Sequence, residues 1–291
     1  MNRLTYVFFL IFANLFRILP FRVLYLISDG LYFLMYYIIG YRKKVVFMNL
    51  RNSFPQKSGK EIAGIAKGFY THLCDILIET MKSITIQPEA IVKRFRVINP
   101  GIIDDFYPKN KSVIMVVGHY NNWEWGGIAA ETQLMHKPVG FYKTLSNGFI
   151  DNYIKRARGR DRTALVPIND SNEVFKKNWL EPAVFLMIAD QSPSSTRLAH
   201  WVNFLNQDTA TLHGPEKYAR MYDLPVVYGG IKKIGRGHYE AFFEMLCEDP
   251  STTRNGEITE KFMNKLEEKI LEDPRYYLWS HKRWKHRREL K

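Results

Sequence analysis

The chain has 291 residues, with 42 lysines and arginines against 29 aspartates and glutamates, for a formal net charge of +13. That length buries a sizeable core, as one α/β domain or as a domain with an anchor, and the basic excess suits an anionic partner: nucleic acid, anionic lipid or an acidic protein. Its two cysteines, Cys74 and Cys247, supply neither a disulfide framework nor a metal-ligand spacing, which fits a reducing compartment.

The N-terminal part is crowded with Tyr and Phe. Leu4 to Leu19 is apolar but broken by Asn14 and Arg17, and Pro20 stops it. Val23 to Tyr41 is nearly continuous apart from Ser28, Asp29 and Gly30. Neither is a clean span of about twenty residues. No small-residue cleavage site follows the first run, which argues against a secretory signal. A pair of core helices is the plain alternative. The flanking Tyr, Phe and Arg favour membrane contact, with one helix inserted or lying in the interface, and Arg42, Lys43 and Lys44 facing anionic headgroups on the cytoplasmic side. The chain therefore divides into an anchoring apolar helical segment, 1–41, and a domain, 42–291.

Further along, Phe54-Pro55 ends a helix and Ser58 to Glu61 carries a start signal for the next. Apolar residues from Ile62 to Leu77 recur at helical spacing, predicting an amphipathic helix over 61–82. Glu79 near its end reads as a solvated or paired carboxylate rather than a catalytic one. Residues 91–99 alternate as a strand. The run Val113–Val117 ends in Gly118-His119, followed by Asn121, Asn122 and a helical segment with Glu124 in its first turn. It reads as a central strand whose carboxyl end carries an imidazole, the edge where ligands bind in open α/β sheets. Residues 138–142 form a short strand ending at Lys143. The segment 147–165 is helical and then strongly basic. Val174–Trp179 reads as a helix, and Ala183–Ala189 as a buried strand running into Asp190-Gln191. Glu216–Met221 is a short helix, 224–234 and 238–246 are a strand pair, and 257–272 is the last clear helix. Alternating strands and helices predict an α/β fold: a central, mostly parallel or mixed sheet flanked by helices, behind an N-terminal membrane-associated helical segment.

His119 and Glu124 are the sharpest chemical pair. A neutral imidazole takes a proton from a hydroxyl near neutral pH, and a carboxylate fixes its tautomer. The same residues also read as a turn histidine and a glutamate favouring a helix N-terminus. No HExxH points to zinc and no GxSxG to a serine hydrolase. Arg158 and Arg160 suit phosphate oxygens or a solvated helix face. Asp190 and Gln191 sit at the functional edge or cap a turn. The tail RYYLWSHKRWKHRRELK interleaves rings with charge, as a nucleic-acid surface, a headgroup surface or a solvated tail would.

GHYNNWE carries the H-x4-[DE] signature of glycerolipid-type acyltransferases. With NLRNSFP upstream, RARGR and IADQSP downstream and YYLWSHKRWK near the end, the set resembles the bacterial lipid A late acyltransferases, inner-membrane enzymes of the lysophospholipid acyltransferase superfamily. The resemblance covers nearly the whole chain. It implies His119 as general base on an acceptor hydroxyl, Glu124 as its orienting partner, and direct attack on an acyl thioester. It implies substrate-binding roles for Arg158, Arg160, Asp190 and Gln191, and no cofactor or metal, since the thioester is a co-substrate. The donor would be an acyl carrier protein or coenzyme A thioester. The acceptor would be a glycolipid or phospholipid at the bacterial inner membrane, met by a catalytic domain on its cytoplasmic face, with no role for nucleic acid. The same chemistry on a lysophospholipid or an amino-acid lipid is the alternative, ahead of a non-enzymatic membrane- or nucleic-acid-binding protein. The chain departs from the family at Asn206, where a glycine is common, which bears on the local turn and the shape of the acyl pocket.

Overall fold

The computed structural model describes residues 2–158, 162–177, 179–197 and 199–288. Its strands are β1 (Phe95–Val97), β2 (Val113–Val117), β3 (Lys137–Tyr142), β4 (Ala164–Pro167), β5 (Ala183–Ile188), β6 (His200–Phe204), β7 (Gln207–Thr211), β8 (Val226–Gly235) and β9 (His238–Cys247). A seven-stranded sheet has the order β1-β9-β8-β2-β5-β3-β4, and β6 pairs with β7 apart from it. Strands β8, β2, β5, β3 and β4 run parallel, while β9 returns antiparallel to β8 and β1 lies parallel to β9. Parallel strands are covered on both faces, which is why β2 and β5 are apolar at every position. The chain leaves β2 toward β3 on one side and leaves β5 toward β8 on the other, so the carboxyl end of β2 lies at a switch point of the topology.

The helices are α1 (Asn2–Ile18), α2 (Phe21–Phe33, continued by a π-helical stretch, Leu34–Ile39), α3 (Lys43–Ser53), α4 (Gly59–Ser83), α5 (Pro88–Val92), α6 (Gly101–Asp104), α7 (Trp123–Gln133), α8 (Gly148–Arg158), α9 (Ser171–Lys176), α10 (Gly214–Tyr222) and α11 (Glu257–Glu272). Ser58 and Glu61 close a reciprocal cap that starts α4. The largest core cluster packs α3, α4 and α11 with the tail's Tyr277 and Trp279 against one face of the sheet.

Three expectations shift. The strand expected at 91–99 shrinks to Phe95–Val97, because Pro88 begins a helical turn in front of it. The hairpin β6–β7 and the four-residue β4 were too short to stand out. Leu205 and Asn206 make the two-residue hairpin turn, with φ of 52° and 61°. Asparagine tolerates that left-handed region, so Asn206 preserves the turn and donates to the Ser53 carbonyl at 3.0 Å.

Helix α4 holds α1 and α2 through a buried polar row. Lys82 Nζ donates to the carbonyls of Phe16, Arg17 and Leu19 at 2.7–2.9 Å, capping the end of α1. Asp75 accepts from the Ser28 hydroxyl at 2.8 Å and from Arg236, which also pairs with Asp29 at 2.6 Å. Glu79 accepts from the Tyr25 hydroxyl at 2.8 Å. On α2, Tyr25 and Ser28 thus turn inward beside the buried Leu24, while Leu26, Ile27 and Phe33 face outward. On α1, Leu4, Phe8, Ile11, Leu15 and Ile18 form one exposed ridge. Helix α8, which carries no buried residue, rests on α1 through Tyr6–Phe149 and Phe9–Tyr153 ring contacts.

Candidate active site

At the end of β2 the backbone turns under tight constraint. A Cβ on Gly118 would meet Leu266 Cδ1 at 2.6 Å, so any side chain there would have to displace that buried leucine. The tail holds the turn by main-chain bonds: Leu278 N–H donates to the His119 carbonyl at 3.1 Å, and Asn121 N–H to the Tyr276 carbonyl at 3.0 Å. Asn121 takes φ 57° and donates its amide to the Ile231 carbonyl at 2.7 Å. Asn122 caps α7 by accepting from Trp125 N–H at 3.0 Å, and donates to Glu79 Oε2 at 2.6 Å.

This frame fixes the imidazole. His119 Nδ1 lies 2.7 Å from Asp190 Oδ1, which is almost wholly buried. On the other nitrogen, the Gln191 amide lies 3.1 Å from His119 Nε2. With Nδ1–H donating to Asp190 and Nε2 accepting from Gln191, the ring holds the tautomer a general base needs. Burial disfavours the charged imidazolium, but the charge and hydrogen bond of Asp190, aided by Glu124, outweigh it and raise the His119 pKa above its ordinary value. Burial likewise opposes ionisation of Asp190, yet His119 and the buried guanidinium of Arg283 hold its pKa below the usual range. The indole of Trp123 packs edge-on to the imidazole with centroids 4.9 Å apart.

The predicted residues are distributed differently from the local pairing anticipated. Glu124 was expected to fold back onto the imidazole, and Asp190 to bind substrate. Instead Asp190 makes the hydrogen bond to Nδ1, and Glu124, one residue into α7, pairs with Arg158 at 2.5 Å. Glu124 still acts on His119 through its charge. Gln191 contacts His119, and Arg160 lies outside the described residues. Arg162 of the same basic run donates to the carbonyls of Leu134 and Met135, closing the end of α7. Among the described residues, no group of three or more His, Cys, Asp and Glu could hold a metal ion.

Beside this corner opens a cavity of about 270 Å³ between α7 and the sheet. It is lined by residues of all seven strands, among them Phe95, Phe243, Ile231, Val117, Leu186, Gly140 and Leu165. At about 4.8 Å per strand, the trough runs about 29 Å across the sheet. Trp123, Glu124, Lys143 and Arg158 give it a polar end. A Cβ on Gly229 would meet Val117 Cγ1 at 2.7 Å, so a side chain there would press into that wall.

The remaining motifs serve the same turn. Asn49 of NLRNSFP donates to the carbonyls of Trp279 and His281 at 2.9 and 3.0 Å. Trp279 and Arg283 are buried, so this part of the tail is a clamp and not an open binding surface. Burial pushes the His281 pKa down to about 4, and its neutral Nε2 accepts from Ser192 N–H at 3.1 Å. Sequence reasoning missed Asn49, Glu79 and Arg283 as supports of the site. The paired motifs at 49–55 and 276–285 were visible, but nothing local indicated that they touch.

Residues 2–286 match the family described as bacterial lipid A biosynthesis acyltransferase. The chain is 26% identical over 275 residues to a lipid A biosynthesis lauroyltransferase of Escherichia coli (strain K12), covering 93% of this chain and 88% of that protein. It is 24% identical over 251 residues to a lipid A biosynthesis palmitoleoyltransferase of the same organism, covering 84% of this chain and 79% of that protein. The same figures hold for a lipid A biosynthesis acyltransferase of Shigella flexneri.

Asp190→Asn keeps the side chain's shape and removes its charge. The His119 pKa, followed by NMR, should fall, and the acid limb of the activity profile should move to lower pH. Turnover at its optimum should drop by roughly 10²–10⁴-fold, as when a triad carboxylate is neutralised. An unmoved imidazole pKa would remove Asp190 from this role.

Proposed function

The chain belongs to the bacterial lipid A biosynthesis acyltransferase family and is an acyltransferase, and on that premise we propose that His119 deprotonates a hydroxyl of a lipid A precursor for attack on an acyl thioester. The observation that carries this reading is the buried His119–Asp190 pair at the carboxyl end of β2, beside an apolar trough. The acceptor hydroxyl takes the place of Gln191 at Nε2. Its proton passes to His119 as its oxygen bonds to the thioester carbonyl carbon. The tetrahedral intermediate collapses, the carbon–sulfur bond breaks, and the departing thiolate takes the proton from the imidazolium. Asp190 stabilises that transient cation.

The acyl chain lies in the trough. Glu124 and Arg158 stand at its polar end, where Arg158 offers a fork for acceptor phosphate or developing charge. Arg160 joins it by the RARGR resemblance. An acyl carrier protein is the favoured donor, since an acidic carrier complements a chain of charge +13.

The enzyme meets its lipid at the cytoplasmic face of the inner membrane. The outward ridge of α1 supports insertion of apolar side chains into the headgroup boundary. Phe21–Ile39 is long and apolar enough to cross a bilayer, at 19 residues. Its midpoint, however, is Asp29-Gly30, and Asp29 is paired to Arg236 at the tip of the β8–β9 hairpin. Crossing would draw charge to the bilayer centre at about 2.5–3.5 kcal/mol per group. Helices α1 and α2 therefore lie in the plane of the interface.

Three outcomes test this reading. Lipids from a strain lacking the protein should show lipid A short of one acyl chain by mass spectrometry; loss of a phospholipid or amino-acid lipid instead would move the acceptor to that class. A cysteine placed near the N-terminus should react with a membrane-impermeant reagent only from the side of the catalytic domain, and labelling from the opposite side would make α2 a span. At Gly127, which lines the trough, a Cβ meets nothing within 4 Å. Gly127→Leu should thus fold normally and shift donor preference to shorter chains, whereas an unaltered preference would place the acyl chain elsewhere.

A further inference from the structure

Glu79 is fully buried, although it reads in the sequence as a solvated or ordinarily paired carboxylate. Its partners come from separate parts of the fold. Tyr25 of α2 donates to Oε1 at 2.8 Å, while Tyr239 of β9 and Asn122 of the His119 turn donate to Oε2 at 2.9 and 2.6 Å. Its main-chain carbonyl accepts from the Trp125 indole at 3.1 Å. Asn122 is simultaneously the cap of α7, three residues after the base. One carboxylate therefore joins the outward-facing N-terminal helix to the turn that aims His119.

We propose that Glu79 is a positioning residue, which with Tyr25 ties the seating of α2 to the placement of His119. The argument runs through donor and acceptor roles. Asn122 has one amide, with its oxygen committed to Trp125 N–H and its nitrogen to Glu79. Without the carboxylate, that nitrogen faces a buried site with no acceptor, and rotating the amide to compensate breaks the cap. The turn has little other slack, since Asn121 is held by Ile231 and Tyr276. Displacement of Asn122 therefore moves the His119–Trp123 segment, and catalysis is sensitive to shifts of about 1 Å. Burial raises the Glu79 pKa to about 7, against the opposing pull of the Tyr25 and Tyr239 hydroxyls and of Lys233, and with Asp75 adding to the rise. Three donors converging on it nevertheless fit the ionised form. Loosening α2 from α4 removes Tyr25 from this set, so the seating of the membrane-facing helix bears on the base.

This rests on His119 being the base, and the experiment separates the two claims. Glu79→Met, which keeps the side chain's length but leaves no acceptor oxygen, and Glu79→Gln, whose amide oxygen still accepts from Asn122, are compared with Tyr25→Phe, wild type and His119→Ala. Turnover is measured in detergent micelles with an acyl carrier protein thioester and a lipid A precursor, and hydrogen exchange is followed over residues 118–126. Glu79→Met should lower kcat by about ten-fold or more with KM for the thioester unchanged, and speed exchange at the Trp125 amide, and Glu79→Gln should recover part of both. Tyr25→Phe should shift both readouts in the same direction by less than Glu79→Met, and add little on top of it. A folded Glu79→Met enzyme with wild-type kcat, or with slowed turnover but native exchange in this turn, or a Glu79→Gln enzyme no better than Glu79→Met, would overturn the proposal. Full turnover in His119→Ala would instead overturn the base, leaving the exchange measurement to judge the link between Glu79 and the turn.

Discussion

A desolvated carboxylate sets the terms for this structure. Asp190 is almost entirely out of water, and an isolated buried carboxylate costs several kcal/mol. It stays ionised because His119 is 2.7 Å away and the Arg283 charge lies behind it. That arrangement needs β2 and β5 side by side in register, with Val117 opposite Ile188, so that the residues leaving both strands meet. It also needs the tail folded across the turn, since Tyr277 and Arg283 fill the space around the carboxylate. The sheet order, the tail and the buried arginine are thus parts of one solution to a charge in a dry place.

What the sequence revealed follows the range of each interaction. The strand at 113–117, the turn with His119 and the helix at 257–272 are local patterns and emerge as read. His119 was legible as a candidate because it follows an apolar run. Its hydrogen-bonding partner was not, because Asp190 is 71 residues away and adjacency of β2 and β5 is a tertiary fact. Glu124 lay closer in sequence and satisfied the same chemical demand on paper, but α7 begins at Trp123 and Glu124 pairs with Arg158. The tail misled for a related reason: cations and rings in alternation resemble a binding surface until a buried guanidinium and indole are seen in place.

The N-terminal helices show how much an apolar pattern conceals. The polar interruptions at Ser28 and Asp29 look like flaws in a span. They are the contacts that fasten α2 to Asp75 and Arg236. Lys82, Glu79 and Asp75 are spaced along α4 so that one helix face grips both outer helices. Residues 1–41 and the rest of the chain therefore share a polar seam of side-chain bonds.

The backbone clamp from Tyr276 to Leu278 has a consequence in time. A chain emerging from the ribosome makes β2, α7 and β5 long before these residues exist. Until they arrive, the His119 carbonyl and the Asn121 amide lack the partners that set the turn. The nascent protein can thus seat its outer helices and assemble much of its sheet while His119 is still unplaced, and the turn that carries it closes only once residues 276–278 have been made.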